Sequence, residues 1–463
     1  MQYLRKTHFS FFLLFTVNYY VYLCALITKV IMLKKIVFIF ALLSVSVLLV
    51  AQNPLQQQLQ QLPGVESVEQ IPGGRFLEKY VLQFRQLRNP IGNPADTSTF
   101  LQRVVVGHVS LDSVVVLHTH GYNAADHNER IQVRDELAEL LGSNDIWVEH
   151  RYFGTSCPAD TNWNEVTTAN AAYDMHRIVS ALRTIYPKGW VATGGSKDGI
   201  TSTLYSMYYP HDVEAAVPYV APFCLTQADP RGYEFLSKVG KQNQRARIFN
   251  WQKEALRRRT TLQPMLQHYA DSMNMRFTVP FEMVYDYCIL DYDFGIWMRG
   301  IPTDIIPQPY ASDGQMYEHF LQYANPDAFD RNNMPHQTYY VQSAKELGNY
   351  AYNLDPFREW LSETTLQTEG YLAALYLPEG DWDFSYSDEA YQKVFRFLDT
   401  TDCHLMFIYG ETDAWTAFPY PETDNANIRK YIVPGGCHYS RIQDLDEDTQ
   451  TEILSTLRSW LKR

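Results

Sequence analysis

Apolar runs of strand length alternate with segments of helical spacing along much of the chain. Alternating apolar and polar positions over Leu77–Leu87 and Phe100–Ser110 predict an antiparallel pair of strands. Further apolar runs, typical of buried strands, lie at Ser113–His118, Asp145–Glu149, Gly189–Thr193, Val213–Val220, His404–Tyr409 and Lys430–Pro434. Predicted helices lie at Glu129–Leu141, Asn170–Tyr186, Ser196–Tyr209 and Asp446–Leu461. Strands joined by helices of this length indicate an α/β fold with a doubly wound, mostly parallel sheet.

This alternation is interrupted over residues 225–395. The segment has no run typical of a buried strand, and its long helical stretches lie at Lys241–Asn274, Gln315–Tyr323 and Ser343–Asn353. We therefore predict a large helical cap inserted after the sixth predicted strand. The predicted organisation is a targeting segment at 1–51, a polar lead-in at 52–74, a first part of the core at 75–224, the helical cap insertion at 225–395 and a second part of the core at 396–463.

The first 51 residues have the pattern of a targeting segment. Two lysines shortly after Met32 precede the apolar run Ile36–Val50, and the small residue Ala51 follows it, which predicts a secretory signal peptide cleaved after Ala51. The earlier apolar run Phe9–Ile27 is long enough to span a membrane. Two interpretations stay open for residues 1–31: an N-terminal anchor, or a reading frame whose true start is Met32. We predict a secreted or periplasmic protein that meets a membrane only through the signal or this anchor.

Composition narrows the classes of function. Hydrophobic residues make up 46% of the chain and charged residues 20%, which is ordinary for a folded, water-soluble protein. Beyond residue 51, 34 basic residues stand against 52 acidic ones, and this negative balance argues against nucleic acid as a partner. The same part of the chain has five cysteines and no CxxC or HExxH spacing. We therefore predict at least one free thiol, no metal and no cofactor.

The segment Gly189–Gly199 places a serine between a predicted strand and a predicted helix. A nucleophile at such an elbow needs small neighbours, because its backbone is strained and the helix passes close to the strand. The usual pattern has glycine two residues before and two after the serine. Here Gly194 fits before Ser196, whereas Asp198 stands in the second position and Gly199 follows one residue later. An ordinary glycine loop is the alternative to a nucleophile.

A serine hydroxyl becomes a strong nucleophile when a base removes its proton and a carboxylate orients that base. Asp413 follows the predicted strand His404–Tyr409, at the end of the strand where open α/β sheets bind ligands. His438 lies in the glycine-rich loop after the next strand. The order Ser196, Asp413, His438 is that of α/β-hydrolases. We predict these three as the catalytic residues, with Glu411 as a rival acid.

The oxyanion of a tetrahedral intermediate needs two backbone donors. We predict the N–H of Lys197, at the start of the helix, and the N–H of Tyr122, in the loop after the central strand. A plain strand-to-helix turn is the alternative for the Tyr122 loop. We interpret His118 and His120 as packing or gating residues rather than ligands.

Together these segments resemble one family. The stretches Gly194–Gly199, Glu149–Gly154 and Gly435–His438, with the helical insertion, are similar to those of the secreted prolyl tripeptidyl aminopeptidases. These are α/β-hydrolase serine peptidases, distantly related to the lysosomal prolyl carboxypeptidase and dipeptidyl peptidase group. The resemblance runs from Arg75 to the C-terminus and implies peptide substrates, with release of short peptides, typically tripeptides ending in proline, from free N-termini. The family pattern has glycine in place of Asp198, which here either crowds the helix or pairs with Lys197.

The stretch from Glu149 to Tyr152 is the first candidate for substrate binding. It combines Glu149, Arg151 and Tyr152 at a strand exit, where charges must be paired if they are buried. An internal network, either Glu149–Arg151 or Arg151 with an aspartate, is the alternative to direct contact with the substrate.

A pocket for proline is the second candidate. Proline is a compact apolar ring, so its site is expected to be an aromatic box rather than a charged slot. Tyr122, Tyr152, Phe153 and Trp415 lie on loops of the predicted active face. Packing in the core or at the rim is the alternative for each.

An anchor for the substrate's charged α-amine is the third candidate. The segment Phe281–Trp297 concentrates acidic residues among aromatic ones, and this implies Glu282 or Asp291 as amine ligands, with Trp297 nearby. Glu282 and Asp286 are four residues apart and would share one face of a helix. A solvated acidic face is the alternative.

The leading hypothesis is a secreted serine exopeptidase that forms an acyl-enzyme on Ser196. An esterase or lipase with the same triad is the second hypothesis, and the charged, aromatic insertion disfavours it. A catalytically silent binding protein on the same fold is the third, indicated only by Asp198.

Overall fold

The computed structural model describes residues 53–124, 134–333, 337–371 and 376–461, together with Met32. The chain divides into two compact units, Met1–Gln58 and Leu59–Arg463. Apart from Met32, the predicted signal peptide, its cleavage site and the possible anchor lie outside the described residues, as does the start of the predicted helix Glu129–Leu141. Among the described residues, no helix combines the length and the apolar character that crossing a bilayer requires.

Within the described residues, nine strands form one sheet. They are β1 Val65–Ile71, β2 Glu78–Leu87, β3 Thr99–His108, β4 Val115–Thr119, β5 Asn144–Val148, β6 Trp190–Gly195, β7 Ala215–Tyr219, β8 His404–Gly410 and β9 Ile428–Val433. Their spatial order is β1-β2-β3-β5-β4-β6-β7-β8-β9. The pairs from β1 to β5 are antiparallel and the pairs from β5 to β9 are parallel. This is the arrangement of the α/β-hydrolase fold, and it confirms the predicted fold class.

Burial of the central strands explains their uninterrupted apolar runs. All residues of β4, β5 and β7 are buried, as expected when helices cover both faces of a parallel sheet. In register, His118 on β4 pairs with Trp147 on β5 and with Thr193 on β6. The carboxyl ends of these strands therefore meet at one edge, where ligands of open α/β sheets bind.

A helical segment separates β7 from β8 and has a core of its own. Among the described residues the helices are Pro54–Gln60, Glu136–Leu141, Thr168–Leu182, Lys197–Tyr208, Arg231–Lys238, Gln242–Arg257, Arg259–Ser272, Phe281–Leu290, Tyr292–Arg299, Asp313–Tyr323, Gln337–Gln342, Glu363–Leu366, Glu389–Thr400 and Glu447–Trp460, with a π-helical turn at Ser343–Leu347. Those from Arg231 to Leu366 lie within the predicted insertion at 225–395, and Glu389–Thr400 crosses its predicted end. Large buried aromatic side chains, including Trp251, Tyr285 and Tyr292, hold its helices together.

Two helical predictions in the insertion differ from the structure. The stretch Lys241–Asn274 is two helices, because Arg258 between them has φ −89° and ψ 18°. The Arg258 guanidinium donates hydrogen bonds to the carbonyls of Pro309 and Ala311, so tertiary contacts set this break. In the second case the predicted helix Ser343–Asn353 ends at Leu347, since Gly348 has φ +65° and the chain beyond it forms a β-bridge to Asp229.

The lead-in at 52–74 also differs from the expectation of a segment without core elements. It contains the helix Pro54–Gln60 and the edge strand β1. The strand is bonded to β2 through its backbone, whereas its side chains are exposed or half-buried. Because this strand is held by backbone hydrogen bonds rather than by buried side chains, apolar and polar residues do not alternate along it. The hydrophobic pattern therefore did not predict the strand.

All five cysteines beyond residue 51 are free thiols: Cys157, Cys224, Cys288, Cys403 and Cys437. In the part of the chain that the structure describes, no three His, Cys, Asp or Glu side chains cluster closely enough to hold a metal ion.

Candidate active site

A strained serine marks the turn after β6. Ser196 has φ +58° and ψ −124°, a conformation that persists only where the surroundings enforce it. A Cβ on Gly194 would lie 2.5 Å from Asp198 Cβ, and a Cβ on Gly199 would lie 2.9 Å from the carbonyl oxygen of Tyr219 on β7. Both glycines therefore allow the following helix to pass close to its strands, as a nucleophile elbow requires.

The imidazole of His438 is bonded to a buried carboxylate. His438 Nδ1 lies 2.7 Å from Asp413 Oδ2. The other carboxylate oxygen, Asp413 Oδ1, accepts a hydrogen bond from the N–H of Trp415 at 3.1 Å. Because the carboxylate takes the hydrogen on Nδ1, the lone pair of a neutral His438 lies on Nε2, where a general base needs it.

Glu411, the rival acid, bonds to the backbone of the histidine loop. Its Oε2 accepts a hydrogen bond from the N–H of Gly435 at 2.7 Å. The next residue, Thr412, donates its N–H to the carbonyl of Gly436 at 2.8 Å. The loops after β8 and β9 are therefore tied to each other, and this contact steadies the loop of His438.

The strand register brings the three predicted catalytic residues to one edge of the sheet. Strands β8 and β9 pair in register up to Gly410 and Val433, directly before the acid and histidine loops. The N–H of Ser196 donates to the carbonyl of Tyr219 on β7 at 2.8 Å. The serine, acid and histidine turns thus follow the parallel strands β6, β8 and β9 at the same end of the sheet.

The loop after β4 is held against the helix that follows Ser196. The N–H of Gly121 donates to Asp198 Oδ1 at 2.5 Å, and the carbonyl of Gly121 accepts from Lys197 Nζ at 2.6 Å. The two predicted oxyanion donors, the N–H groups of Tyr122 and Lys197, therefore belong to segments that are bonded together. Asp198 bonds to the backbone of this loop, a role that the sequence analysis did not consider.

The two histidines near this loop have packing partners. His118 stacks on Trp147, with 5.2 Å between ring centroids, and its Nε2 lies 3.9 Å from Asp145 Oδ1. His120 Nδ1 lies 3.3 Å from Asp198 Oδ2. These contacts favour the interpretation of both histidines as packing residues.

Glu149 organises loops from a buried position. Its Oε1 accepts hydrogen bonds from the N–H and hydroxyl groups of both Thr155 and Ser156, and its Oε2 accepts from the N–H of Ala124. The side chain is wholly buried. These contacts favour a structural role over contact with the substrate.

Arg151 forms one of the two internal networks that the sequence left open. Its guanidinium bonds to both carboxylate oxygens of Asp174 at 2.7 Å, and also to the carbonyls of Leu87 and Arg88. Arg151 and Asp174 are both fully buried. Their bidentate pair fixes the start of the Arg151–Gly154 turn and leaves no exposed donor for a substrate.

Tyr152 lies apart from its neighbour Phe153 in the predicted aromatic box. The Tyr152 hydroxyl donates to Glu165 Oε2 at 2.6 Å, and its ring packs in a small cluster with Val166. Phe153 packs edge-on against Tyr122 at 5.6 Å. Both Tyr152 and Phe153 are buried in these contacts.

Aromatic rings of the insertion pack against Trp415, which lies beside the histidine. Trp415 lies 6.3 Å from the His438 ring, 5.1 Å from Tyr350 and 4.9 Å from Phe294, measured between centroids. Phe294 and Tyr350 stack at 3.8 Å. Trp415 therefore forms an apolar wall beside His438, and two rings of the insertion pack behind it.

Asp291 lies among the same aromatic side chains. Its Oδ1 accepts hydrogen bonds from the hydroxyls of Tyr350 at 2.6 Å and Tyr352 at 2.9 Å. Burial raises the pKa of the Tyr376 hydroxyl well above its ordinary value, and the charges of Tyr340 and Asp291 add to the rise. Asp291 is thus a partly exposed carboxylate set in a ring of tyrosines, two ring contacts from His438.

The other two acids of this segment lie elsewhere. Glu282, at the start of the helix Phe281–Leu290, accepts a hydrogen bond from the Thr364 hydroxyl at 2.8 Å. Asp286 is fully buried and pairs with Arg259 and with Ser362. The structure therefore brings Asp291 towards the predicted triad and keeps Glu282 and Asp286 in contacts within the insertion.

A model of the PS-10 peptidase S37 family matches residues 52–461. The chain belongs to this family. It is 27% identical over 423 residues to the prolyl tri/tetrapeptidyl aminopeptidase of Streptomyces mobaraensis, which covers 88% of this chain and 85% of that protein. It is 32% identical over 98 residues to the lysosomal Pro-X carboxypeptidase of Bos taurus, which covers 19% of this chain and 20% of that protein. Membership confirms the predicted resemblance and makes the S37 chain a serine peptidase.

Solved structures with a similar chain course include the proline iminopeptidase of Mycobacterium smegmatis. The identity is 13% and the TM-score 0.36, over 85% of the S37 chain and 98% of the other. A serine hydrolase involved in carbazole degradation, the CarC enzyme, has 13% identity and a TM-score of 0.34 over 81% and 99% of the two chains.

Several residues of the S37 site were missed in the sequence analysis. Tyr339 lies 5.9 Å from Tyr122, and Tyr340 stacks on Tyr376 at 3.8 Å, measured between ring centroids. Tyr339 therefore lies beside the loop after β4, and Tyr350 is bonded to Asp291. Their only signal was the abundance of tyrosine in the insertion, because no motif relates residues so far apart in the chain.

Trp297 lines a cavity of about 380 Å³ within the insertion. Phe294 and Tyr350 line this cavity, and both rings also contact Trp415. Asp293 also faces the cavity, and burial raises the pKa of its carboxyl to about 7, with the nearby charge of Asp291 adding to the rise. Trp297 is therefore separated from the histidine by a layer of aromatic rings.

Proposed function

We propose that this S37 peptidase is a secreted serine exopeptidase with Ser196 as nucleophile, His438 as general base and Asp413 as the group that orients the histidine. One observation carries the proposal. It is the 2.7 Å contact between His438 Nδ1 and Asp413 Oδ2 at the sheet edge that also holds a serine at positive φ. The turns that carry these residues follow β6, β8 and β9, in the order found in α/β-hydrolases.

The geometry supports an acyl-enzyme mechanism. Ser196 Oγ attacks the peptide carbonyl carbon while its proton passes to His438 Nε2. The oxyanion that forms accepts hydrogen bonds from the N–H groups of Tyr122 and Lys197. Collapse of this intermediate expels the new amino terminus, which takes the proton from His438. Water, deprotonated by the same imidazole, then hydrolyses the ester on Ser196.

We propose peptides that carry proline before the cleaved bond as the substrates. The relative from Streptomyces mobaraensis is named a prolyl tri/tetrapeptidyl aminopeptidase. A proline ring needs an apolar wall and brings no amide hydrogen, and Trp415 offers such a wall 6.3 Å from the His438 ring. Tripeptides are the expected products.

Asp291 is the proposed ligand of the substrate's α-ammonium group. The carboxylate already accepts bonds from two tyrosine hydroxyls, and a carboxylate has room for further donors. A peptidase that holds the free amine in this way removes short peptides from the N-terminus and leaves internal bonds uncut.

Labelling and acetylation test this function. A fluorophosphonate probe should label the wild type and leave Ser196→Ala unlabelled. A tripeptide ending in proline, joined to a chromogenic amine, should be cleaved at least about 100-fold faster with a free N-terminus than with an acetylated one, measured as kcat/KM. Equal rates on both forms would rule out the amine anchor. Labelling with turnover of acyl esters alone would favour the esterase, and an unlabelled wild type would favour the binding protein.

Asp291→Asn and Glu282→Gln form a matched pair, since both remove one charge from the same segment. Asp291→Asn should abolish most of the preference for the free amine and keep wild-type turnover of small esters. Glu282→Gln should keep the preference, because Glu282 is bonded to Thr364 at the start of the helix Phe281–Leu290, the end away from Asp291. Loss of the preference in Glu282→Gln alone would transfer the role to Glu282.

We further propose that residues 1–51 direct export and are then removed. N-terminal sequencing of the protein from the medium or the periplasm should begin at Gln52. A mature protein that retains residues 1–31 would instead carry an anchor. The boundaries 75–224, 225–395 and 396–463 stay predictions, which limited proteolysis of the exported protein tests.

A further inference from the structure

We propose that the side chains of Lys197 and Asp198 set the direction of the oxyanion donor at Tyr122, by holding Gly121 from both sides. This inference rests on the proposed acyl-enzyme mechanism and adds two positioning residues to it. Neither side chain needs to touch the substrate, because both act through the backbone of the loop after β4.

The two bonds to Gly121 lie on either side of its Cα. Asp198 Oδ1 accepts the N–H of Gly121 at 2.5 Å, so it holds the peptide unit that precedes Gly121. Lys197 Nζ donates to the Gly121 carbonyl at 2.6 Å, so it holds the unit that follows. Lys197 and Asp198, the first two residues of the helix that follows Ser196, therefore each fix one of two consecutive peptide planes.

Planarity of the peptide carries the effect to Tyr122. The carbonyl of Gly121 and the N–H of Tyr122 belong to one trans peptide unit, in which they point in opposite directions. Fixing the carbonyl towards Lys197 Nζ therefore fixes the Tyr122 N–H away from it. Lys197 thus contributes twice to the proposed oxyanion hole: its own N–H is one donor, and its ammonium orients the other.

The surroundings of Lys197 indicate a directed contact rather than a solvated surface lysine. Only 2% of the residue is exposed, and Nζ lies 5.5 Å from the Tyr122 ring centroid and 5.6 Å from that of Phe153. Burial lowers the pKa of the Lys197 ammonium to about 7, although the charges of Asp198 and Glu346 offset part of the fall. An ammonium group buried at this cost, with a backbone carbonyl as its acceptor, is suited to hold that carbonyl in place.

Close packing gives independent support. A Cβ on Gly121 would lie 2.7 Å from Lys197 Cγ and 2.9 Å from Asp198 Oδ1. The loop is therefore pressed against both side chains. Asp198 also contacts the two residues before Gly121. Its carbonyl accepts a hydrogen bond from the Thr119 hydroxyl at 3.2 Å, and its Oδ2 lies 3.3 Å from His120 Nδ1.

Lys197→Met tests the first contact, because methionine keeps the length of the side chain and removes the donor. On the proline tripeptide substrate, kcat should fall about 100-fold to 1,000-fold, as for loss of one oxyanion donor, while KM changes by less than about twofold. The inhibition constant of the matching tripeptide aldehyde, whose hemiacetal oxygen occupies the oxyanion hole, should rise by a similar factor. Lys393→Met, on the exposed side of the helix Glu389–Thr400, is the control and should leave all three quantities unchanged.

Substitutions of Asp198 test the second contact. Asp198→Ala removes the acceptor and should lower kcat about tenfold or more. Asp198→Asn keeps an oxygen that accepts the Gly121 N–H, so it should recover most of that loss. A role in folding alone would instead lower the melting temperature of Asp198→Ala without separating kcat from KM. If Lys197→Met fails to fold, the Asp198→Ala and Asp198→Asn pair decides the question.

The outcomes separate this inference from the function on which it rests. A wild type that cleaves and labels through Ser196, with wild-type kcat and aldehyde affinity in Lys197→Met, would overturn the positioning role and leave the proposed function intact. A wild type that neither labels nor cleaves would overturn the proposed function, and the inference would fall with it.

Discussion

The N–H of His438 donates a hydrogen bond of 2.9 Å to the carbonyl of Met298. Met298 is the penultimate residue of the insertion helix Tyr292–Arg299, whereas His438 belongs to a loop of the sheet domain. The side chain of the proposed base is oriented by Asp413 from the sheet, and its backbone is held by the insertion. The insertion therefore takes part in placing His438, the proposed base.

Gly300 offers a test of this contact. It ends the same helix with φ +64°, and a Cβ there would lie 3.0 Å from Cys437 Cβ and Sγ, next to His438. Gly300→Ala should therefore push the histidine loop and lower kcat/KM about tenfold to 100-fold, since small displacements of catalytic groups are costly. Steady-state kinetics on the proline tripeptide substrate measures the effect.

Gly142→Ala is the matched control for Gly300→Ala. Gly142 has nearly the same backbone, with φ 64° and ψ 32° against φ 64° and ψ 33°, but a Cβ there meets nothing within 4 Å. Both variants should lose about 1 kcal/mol of stability to backbone strain. Only Gly300→Ala should lose activity, and equal activity in the two variants would contradict the coupling between insertion and histidine loop.

The proposed triad should behave as one unit. Ser196→Ala, His438→Ala and Asp413→Ala should each lower kcat by several orders of magnitude, and combining them should add little, because each removes the same reaction path. Folding should be largely retained, since the residues lie in loops, and circular dichroism checks this. Cys437→Ser should keep activity. Retained turnover in His438→Ala would take that residue out of its role.

Trp415 should favour proline before the cleaved bond. Trp415→Ala removes the apolar wall beside His438 and should lower kcat/KM for proline substrates about tenfold to 100-fold, the range expected for a buried aromatic contact. Tyr310→Ala, at a ring that is 87% exposed, is the control. For the wild type, substrates with lysine or aspartate in place of proline should be much slower, and equal rates would contradict the apolar pocket.

Asp293 should make the stability of the protein fall as pH rises. Burial raises the pKa of its carboxyl from 3.8 to about 7. Between these values the folded state keeps a proton that the unfolded state has lost, so the free energy of unfolding decreases with increasing pH. Asp293→Asn removes this effect and should be roughly 2–4 kcal/mol more stable than the wild type at pH 8. Urea unfolding at pH 4 and pH 8 checks this, since the difference should nearly vanish at pH 4.

The sequence predicted what depends on local pattern. The strand β6 and the turn at Ser196 are local, since the apolar run and the small neighbours are adjacent in the chain, and the same holds for the turns that carry Asp413 and His438. The role of Arg151 was left between two networks, because its partner Asp174 lies 23 residues away on the helix Thr168–Leu182. Only the fold decides between such partners.

Contacts between the insertion and the sheet domain were beyond the sequence for the same reason. The break at Arg258 depends on carbonyls more than 50 residues away, and the tyrosines around Asp291 come from three separate segments. The roles of Lys197 and Asp198 were also missed, because the glycine that they hold lies 76 and 77 residues earlier. A rule for local pattern carries no information about such distant partners.

The short helix Tyr292–Arg299 lies between the proposed ligand of the substrate's amine and the proposed base. Asp291 directly precedes it, and Met298, near its end, accepts the backbone N–H of His438. At 1.5 Å per residue these positions are about 10 Å apart along the helix axis, close to the span of three extended residues, which is also about 10 Å. If the substrate's amine binds Asp291, the length of this helix would set the distance between that amine and the proposed base. A chain with one turn more at this point would then release a longer product.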